Sequence, residues 1–83
     1  MKKITVYTTS ICPYCVRAKA LLDRKGYAYK EINAEDDVIR EEMIKKAGGM
    51  RTVPQIFIGE THVGGSDDLY ALDREGKLDD LVK

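Results

Sequence analysis

The sequence holds two cysteines, Cys12 and Cys15, separated by Pro13 and Tyr14. A Cys-x-x-Cys pair can exchange disulfides with a partner, hold half of a zinc site or form a structural crosslink. Zinc usually needs four ligands, and beyond the cysteines only His62 is a suitable soft ligand. A crosslink over so short a loop restricts the unfolded chain by only about 2 kcal/mol. Redox exchange is therefore the favoured interpretation, and the other two stay open.

The position of Cys12 before a proline predicts how its sulfur becomes reactive. Only the thiolate attacks sulfur, and an unperturbed cysteine with a pKa of about 8.5 is mostly thiol at neutral pH. Pro13 favours the first turn of a helix, so Cys12 would be the N-cap, facing the backbone N–H groups of Tyr14 and Cys15 and the positive end of the dipole. Cys15, one turn into the helix, is expected to be less exposed. The sequence predicts Cys12 as the attacking thiolate and Cys15 as the resolving thiol.

A second candidate segment is Thr52-Val53-Pro54, which precedes an apolar strand. Pro54 can be a simple turn residue at the first position of that strand. Alternatively, a cis Val53–Pro54 bond would turn the Val53 backbone outward beside the cysteines, where its N–H and C=O can pair with an extended peptide. Both interpretations stay open on the sequence.

A third candidate segment covers residues 64–68, Gly-Gly-Ser-Asp-Asp. Glycine turns and Ser or Asp caps open many helices, which is a sufficient structural explanation. As a binding site, the N–H groups of Gly65, Ser66 and Asp67 would hold a carboxylate, and the Asp67 side chain would accept from an α-amino group. The γ-glutamyl end of glutathione carries both groups. Tyr14 fits a sulfur-lining role and a partly exposed surface position equally well.

The hydrophobic pattern predicts the elements that position these segments. They are a strand over 3–9, a helix over about 13–25, a strand over 27–32, a helix over about 38–47, strands over 55–58 and 61–63, a helix opened by 66–68, and a short terminal segment over 78–82. Val16 is expected on the apolar side of the first helix, and Val38 in the apolar stripe of the second.

The order of these elements predicts an α/β fold. A strand-helix-strand start requires a parallel pair with a crossover, whereas the later hairpin must be antiparallel. One mixed sheet of four strands, flanked by helices in the order β-α-β-α-β-β-α, satisfies both. A chain of 83 residues holds one core, so residues 1–83 are expected to form a single domain.

Composition and charge restrict the partners. Lys plus Arg and Asp plus Glu number 14 each, so no net field draws the protein to nucleic acid or to a membrane. Residues 4–9 alternate instead of forming the apolar run of a signal peptide, and no stretch approaches the roughly 20 apolar residues of a membrane span. A cytoplasmic location is predicted. In that reducing compartment, catalytic or metal-binding cysteines are more common than permanent crosslinks.

Together, the motifs at residues 12–15, 52–54 and 64–68 resemble the glutaredoxin family over nearly the whole chain, most closely its short bacterial dithiol class, often called glutaredoxin 3. The resemblance implies a thioredoxin-like fold, with Cys12 as nucleophile and Cys15 as resolving thiol. The glutathione-binding residues that it implies are Tyr14, Thr52, Val53, Pro54, Gly65, Ser66 and Asp67. Many family members carry a lysine where this chain has Thr9, and some carry a third cysteine where it has Ser66. A regulatory third thiol is thus excluded.

The resemblance further implies a glutathione-dependent oxidoreductase that reduces protein disulfides and protein–glutathione mixed disulfides. Glutathione would be its reducing co-substrate, recycled by an NADPH-dependent reductase, with no tightly bound cofactor and no metal. Its partners would be glutathione and disulfide-containing or glutathionylated proteins, ribonucleotide reductase among them, acting on a monomer. Two alternatives remain open: a redoxin reduced by a flavoprotein reductase, which Ser66 and Asp67 disfavour, and an iron-sulfur carrier, which Pro13 and Cys15 disfavour.

Overall fold

The computed structural model describes residues 2–83. Its elements are β1 (Ile4–Thr8), α1 (Pro13–Arg24), β2 (Lys30–Asn33), α2 (Asp37–Lys46), β3 (Gln55–Ile58), β4 (Thr61–Gly64), α3 (Ser66–Arg74) and α4 (Leu78–Val82). The predicted order of elements is confirmed. The second strand begins later than predicted, because the Tyr27 N–H bonds to the Leu22 carbonyl at 3.0 Å and closes the end of α1 around Gly26.

The strands form one mixed sheet in the order β2-β1-β3-β4. The β1–β2 pair is parallel, and the β1–β3 and β3–β4 pairs are antiparallel, with an irregular register between Ile56 and Phe57. The predicted mixed sheet of four strands is therefore confirmed. Because β1 and β2 are parallel, their carboxyl ends meet at one edge, and β1 leads from that edge into α1.

Helices cover both faces of this sheet. The larger core joins β1 and β3 to α1, α3 and α4 through residues buried to within 2% exposure: Ile4, Val6, Ala18, Leu21, Leu22, Ile56, Ile58, Leu69, Leu78 and Val82. On the other face, Met43 of α2 packs with Tyr7 and Ala34. Each fully buried aliphatic side chain contributes about 1.5 to 3 kcal/mol, so α1 and the sheet form a firm support for the cysteine loop.

Two apolar residues lie outside the core, contrary to prediction: Val16 is 61% exposed and Val38 is 75% exposed. Successive residues of a helix are about 100° apart. Cys15 takes the inward position at the start of α1, so Val16 is turned to solvent. Met43 is the inward residue of α2, and Val38 lies outside the stripe that Met43 shares with Ala47.

A polar cluster joins the end of α1 to α3 and α4. The Lys25 Nζ lies 2.7 Å from the Asp73 Oδ1 and 3.0 Å from the Asp79 Oδ1, and the Tyr27 hydroxyl also donates to Asp79. These hydrogen bonds raise the pKa of Lys25 above its ordinary value, Asp73 having the larger effect. Along residues 2–83, no helix combines the length and apolar character needed to cross a membrane.

Candidate active site

Cys12 and Cys15 form a disulfide at the start of α1, with their Cα atoms 5.2 Å apart. Cys12 is the N-cap in an extended conformation, and its Sγ accepts from the Cys15 N–H at 3.1 Å. Of the two backbone donors that the sequence predicted, Tyr14 and Cys15, only Cys15 makes this contact. Cys15 is 1% exposed, whereas Cys12 is half-buried. The predicted N-cap position and the predicted difference in exposure are thus both present.

The electrostatic surroundings of Cys12 leave the positive end of α1 uncompensated. The first turn of α1 carries no acidic residue. The backbone N–H groups and the dipole at this end therefore favour the negatively charged form of the sulfur when the disulfide is reduced. The role of Cys12 as the attacking thiolate stays a prediction.

The loop ahead of Cys12 is anchored by Glu35. Ser10 donates to the Glu35 Oε1 from its backbone N–H at 2.8 Å and from its hydroxyl, and the Asn33 Nδ2 donates to the same oxygen at 3.0 Å. The Ser10 hydroxyl and then Asn33 lower the pKa of Glu35 below its ordinary value. An ionised Glu35 therefore fixes the chain two residues before the sulfur.

Residues 52–54 lie beside the same sulfur. The Val53–Pro54 peptide bond is cis, the sharper of the two alternatives that the sequence allowed. The Val53 carbonyl oxygen is 3.7 Å from the Cys12 Sγ. Pro54 is buried against the domain, and Val53 is half-buried. The fold thus brings residues 52–54 into contact with Cys12.

The start of α3 differs in detail from the prediction. Gly65 is the N-cap, and its N–H donates to the Asp68 Oδ2 at 3.0 Å, so this N–H is already paired. Ser66 lies within the helix, 4% exposed, and its hydroxyl oxygen has no hydrogen-bond partner along the described chain. The carboxylate-binding donors that remain are the N–H groups of Ser66 and Asp67, which have no acceptor within a first helical turn.

One groove of about 300 Å³ joins the three segments. It is lined by Tyr14, Met50, Thr52, Val53, Pro54, Gly65, Ser66, Asp67 and Asp68. All seven residues that the sequence analysis assigned to glutathione line this groove. Tyr14 is 56% exposed and also lines the groove, and its role beside the sulfur stays a prediction. The volume lies at the lower end of the range for small-molecule sites.

Sequence reasoning missed Met50 and Gln55 in this region and identified Asp68 only as a possible helix cap. Met50 and Asp68 line the groove, and Gln55 lies behind it. Gln55 is fully buried, and its amide nitrogen donates to the Thr52 carbonyl at 2.9 Å. The only sequence signal for Gln55 is a polar residue at the start of an otherwise apolar strand. Nothing in the sequence distinguishes Met50 from an ordinary loop residue.

His62, the third candidate zinc ligand, contacts Gln55 and Phe57. Its Nε2 lies 2.7 Å from the Gln55 Oε1, and its ring stacks on Phe57 with centroids 4.9 Å apart. A larger cavity, of about 400 Å³ and lined in part by Tyr7, Lys46 and Phe57, includes none of the predicted site residues. The smaller groove adjoins the Cys12 sulfur through Val53, whose carbonyl oxygen is 3.7 Å from the Cys12 Sγ.

Comparisons with known proteins show which family the chain is similar to. The sequence model of a family described as glutaredoxin matches residues 4–63. A glutaredoxin of Pseudomonas aeruginosa is 57% identical, with 99% of this chain and 98% of the relative covered. Glutaredoxin 3 of Escherichia coli K12 is 54% identical over the full length of both chains.

Solved structures of glutaredoxins are also similar to this chain. The solution structure of a glutaredoxin from Brucella melitensis is 56% identical, with a TM-score of 0.88, covering 100% of this chain and 90% of the other. The crystal structure of a buckwheat glutaredoxin–glutathione complex is 34% identical, also with a TM-score of 0.88, covering 98% of this chain and 76% of the other.

Proposed function

The chain belongs to the glutaredoxin family and is a thiol-disulfide oxidoreductase, and from this we propose that it uses glutathione to reduce protein–glutathione mixed disulfides and protein disulfides. The observation that carries the proposal is the groove beside Cys12, because it joins all seven predicted glutathione-binding residues from three separate segments. The catalytic residues in this proposal are Cys12 and Cys15.

On a protein–glutathione mixed disulfide, the Cys12 thiolate attacks the glutathione sulfur. A Cys12–glutathione disulfide forms, the bond between glutathione and the substrate breaks, and the substrate leaves as a thiolate that takes up a proton. The thiolate of a second glutathione then attacks the sulfur of the bound glutathione. Oxidised glutathione leaves, and Cys12 returns as a thiolate.

On a protein disulfide, Cys15 takes part. Cys12 attacks one substrate sulfur, forming a Cys12–substrate disulfide and releasing the other sulfur as a thiol. Cys15 then attacks the Cys12 Sγ, which closes the Cys12–Cys15 disulfide and releases the second substrate thiol. The Cα separation of 5.2 Å lies within the normal range for a disulfide, so the pair can close in place. Two glutathione molecules reopen it.

The groove residues divide the recognition of glutathione among its parts. The γ-glutamyl carboxylate is held by the N–H groups of Ser66 and Asp67, and the buried Ser66 hydroxyl, which has no partner in the described part of the chain, can donate to it. The Asp67 carboxylate accepts from the α-amino group. The Val53 backbone pairs with the peptide of glutathione beside Cys12. Tyr14, Thr52 and Pro54 shape the wall near the sulfur, and Gly65 leaves room for the carboxylate.

The wider setting in this proposal is a monomeric single domain over residues 1–83, acting in the cytoplasm without a tightly bound cofactor. Equal numbers of acidic and basic residues support partners that are recognised locally, at the site, and not by a long-range field. These partners are glutathione and disulfide-containing or glutathionylated proteins. Ribonucleotide reductase stays a prediction from the family resemblance.

The test is a deglutathionylation assay on a glutathionylated peptide, with the wild type, Cys12→Ser and Cys15→Ser. We expect Cys12→Ser to lose all activity, and Cys15→Ser to keep deglutathionylation but lose turnover of a protein disulfide. Activity retained by Cys12→Ser would remove the assigned nucleophile. Parallel assays with glutathione and with a flavoprotein reductase as electron donor distinguish this proposal from the thioredoxin-like alternative.

A further inference from the structure

Gln55 is a fully buried amide directly behind the groove. It is the first residue of β3 and is 0% exposed. Burying an amide costs several kcal/mol unless its hydrogen bonds are satisfied. Its nitrogen donates to the Thr52 carbonyl at 2.9 Å and to the Thr52 hydroxyl at 3.3 Å, and its oxygen lies 2.7 Å from the His62 Nε2. Gln55 does not line the groove itself.

These contacts form a chain of hydrogen bonds whose donors and acceptors can be assigned in only one way. The Thr52 backbone carbonyl can only accept, so the amide nitrogen of Gln55 must face it. The amide oxygen of Gln55 therefore faces His62, whose Nε2 must carry a hydrogen. Stacking on Phe57 fixes the His62 ring. The hydrogen-bond chain thus runs from His62 through Gln55 to Thr52.

We propose that Gln55 is a positioning residue that holds Thr52, and through it the Val53 backbone, in the conformation that binds glutathione. This inference rests on the proposed function. Residues 50–54 contain no helix or strand, so side-chain contacts must fix their path. The Val53 carbonyl lies 3.7 Å from the Cys12 Sγ, so a small displacement of this loop changes where a bound glutathione sits relative to the sulfur.

The same geometry limits what Gln55 does. Cys12 is stabilised by the Cys15 N–H and by the start of α1, and Gln55 contacts neither. Loss of the Gln55 amide should therefore impair recognition of the glutathione peptide and leave the intrinsic reactivity of Cys12 unchanged. A residue that served only the stability of the fold would not separate these two properties.

The experiment compares two substrates that differ only in the cap that Cys12 attacks, one peptide disulfide-bonded to glutathione and the same peptide disulfide-bonded to free cysteine. Free cysteine has no peptide bonds with which to pair with Val53. We expect the ratio of kcat/KM values, glutathione-capped over cysteine-capped, to fall about five- to tenfold in Gln55→Met, as for the loss of roughly one hydrogen bond. Alkylation of Cys12 by iodoacetamide should stay within about twofold of the wild-type rate.

Ile58→Val is the matched control, because Ile58 is buried in the same strand and has no role in the polar chain. The ratio of kcat/KM values for the two capped peptides should be the same in Ile58→Val as in the wild type. An unchanged ratio in Gln55→Met, or an equal fall in Ile58→Val, would overturn the inference. A wild type with no preference for the glutathione cap would instead overturn the proposed function, so the two failures are distinguishable.

A measurement on the wild type keeps the inference testable if Gln55→Met does not fold. Long-range proton–nitrogen correlation spectra of the neutral His62 ring report which nitrogen carries the hydrogen. The hydrogen-bond chain requires hydrogen on Nε2. A neutral ring protonated at Nδ1 would contradict the direction of the chain and, with it, the role of Gln55.

Discussion

Ser66→Ala is expected to make the free protein more stable and the enzyme less active, two effects of opposite sign. The Ser66 hydroxyl is buried and has no hydrogen-bond partner among residues 2–83. An unsatisfied buried hydroxyl costs about 1 to 3 kcal/mol, and alanine is also the better helix former. The small void left by the oxygen offsets part of this gain. The free energy of unfolding should therefore rise by about 1 kcal/mol, which corresponds to a Tm increase of about 4 to 8 °C.

The effect of Ser66→Ala on activity follows from the carboxylate that the hydroxyl is proposed to bind. A hydrogen bond to a charged group is worth about 1.5 to 3 kcal/mol, so kcat/KM toward a glutathionylated peptide should fall by a factor of about ten or more. The cysteine-capped peptide also carries a carboxylate, but on the residue that forms the disulfide, and its turnover should change little.

The chain offers a matched control, because its only other serine is Ser10, whose hydroxyl is bonded to Glu35. Ser10→Ala removes a satisfied hydroxyl and should lower the free energy of unfolding. Urea unfolding of both variants measures the stabilities, and steady-state kinetics measure the activities. A destabilised Ser66→Ala, or one with full activity on glutathionylated peptide, would refute the reasoning about this hydroxyl.

Three further predictions follow from other parts of the site. In a Cys15→Ser protein, alkylation rates measured against pH should show Cys12 ionising more readily than free cysteine, and an ordinary thiol titration would contradict the N-cap argument. Because Ser10 lowers the pKa of Glu35, the stability that Glu35 adds is complete above the unfolded pKa of about 4.3 and is lost as pH falls through the lower folded pKa. In urea unfolding, the free energy of unfolding of Glu35→Gln should therefore fall less steeply than that of the wild type between pH 5 and pH 3. A pH profile identical to that of the wild type would exclude this role. Gly64 has a φ of +113°, and a Cβ there would meet a carboxylate oxygen of α3. Gly64→Ala should therefore lower the free energy of unfolding by about 1 to 3 kcal/mol. A Tm within 2 °C of the wild-type value would argue against this strain.

The elements and their topology could be predicted from sequence because local signals agreed with one another. The alternating pattern of residues 4–9 predicted β1, and Pro13 and Gly26 predicted the two ends of α1. The strand-like segments 55–58 and 61–63, on either side of Gly59, predicted the hairpin. The parallel first pair then followed from the need for a crossover. The N-cap position of Cys12 was predictable for the same reason, since it depends on residues adjacent in the chain.

The details that were missed depend on contacts between distant residues or on competition between neighbours. Ser66 and Asp68 are both good caps, and sequence alone does not reveal that Asp68 pairs with the Gly65 N–H while the Ser66 hydroxyl is left buried. Gln55 gains its partner His62 only when the hairpin pairs. The outward position of Val16 depends on which residue of the first turn points inward, a choice that packing makes.

The unequal exposure of the two bonded sulfurs determines how the oxidised protein is reopened. An incoming thiolate must approach along the line of the S–S bond and strike the sulfur that it can reach. Because Cys15 is 1% exposed, that sulfur belongs to Cys12, and Cys15 is the leaving group. In the proposed mechanism, glutathione attached by this route lies next to the groove that we propose binds it. Burial of Cys15 thus determines which sulfur forms the mixed disulfide with glutathione.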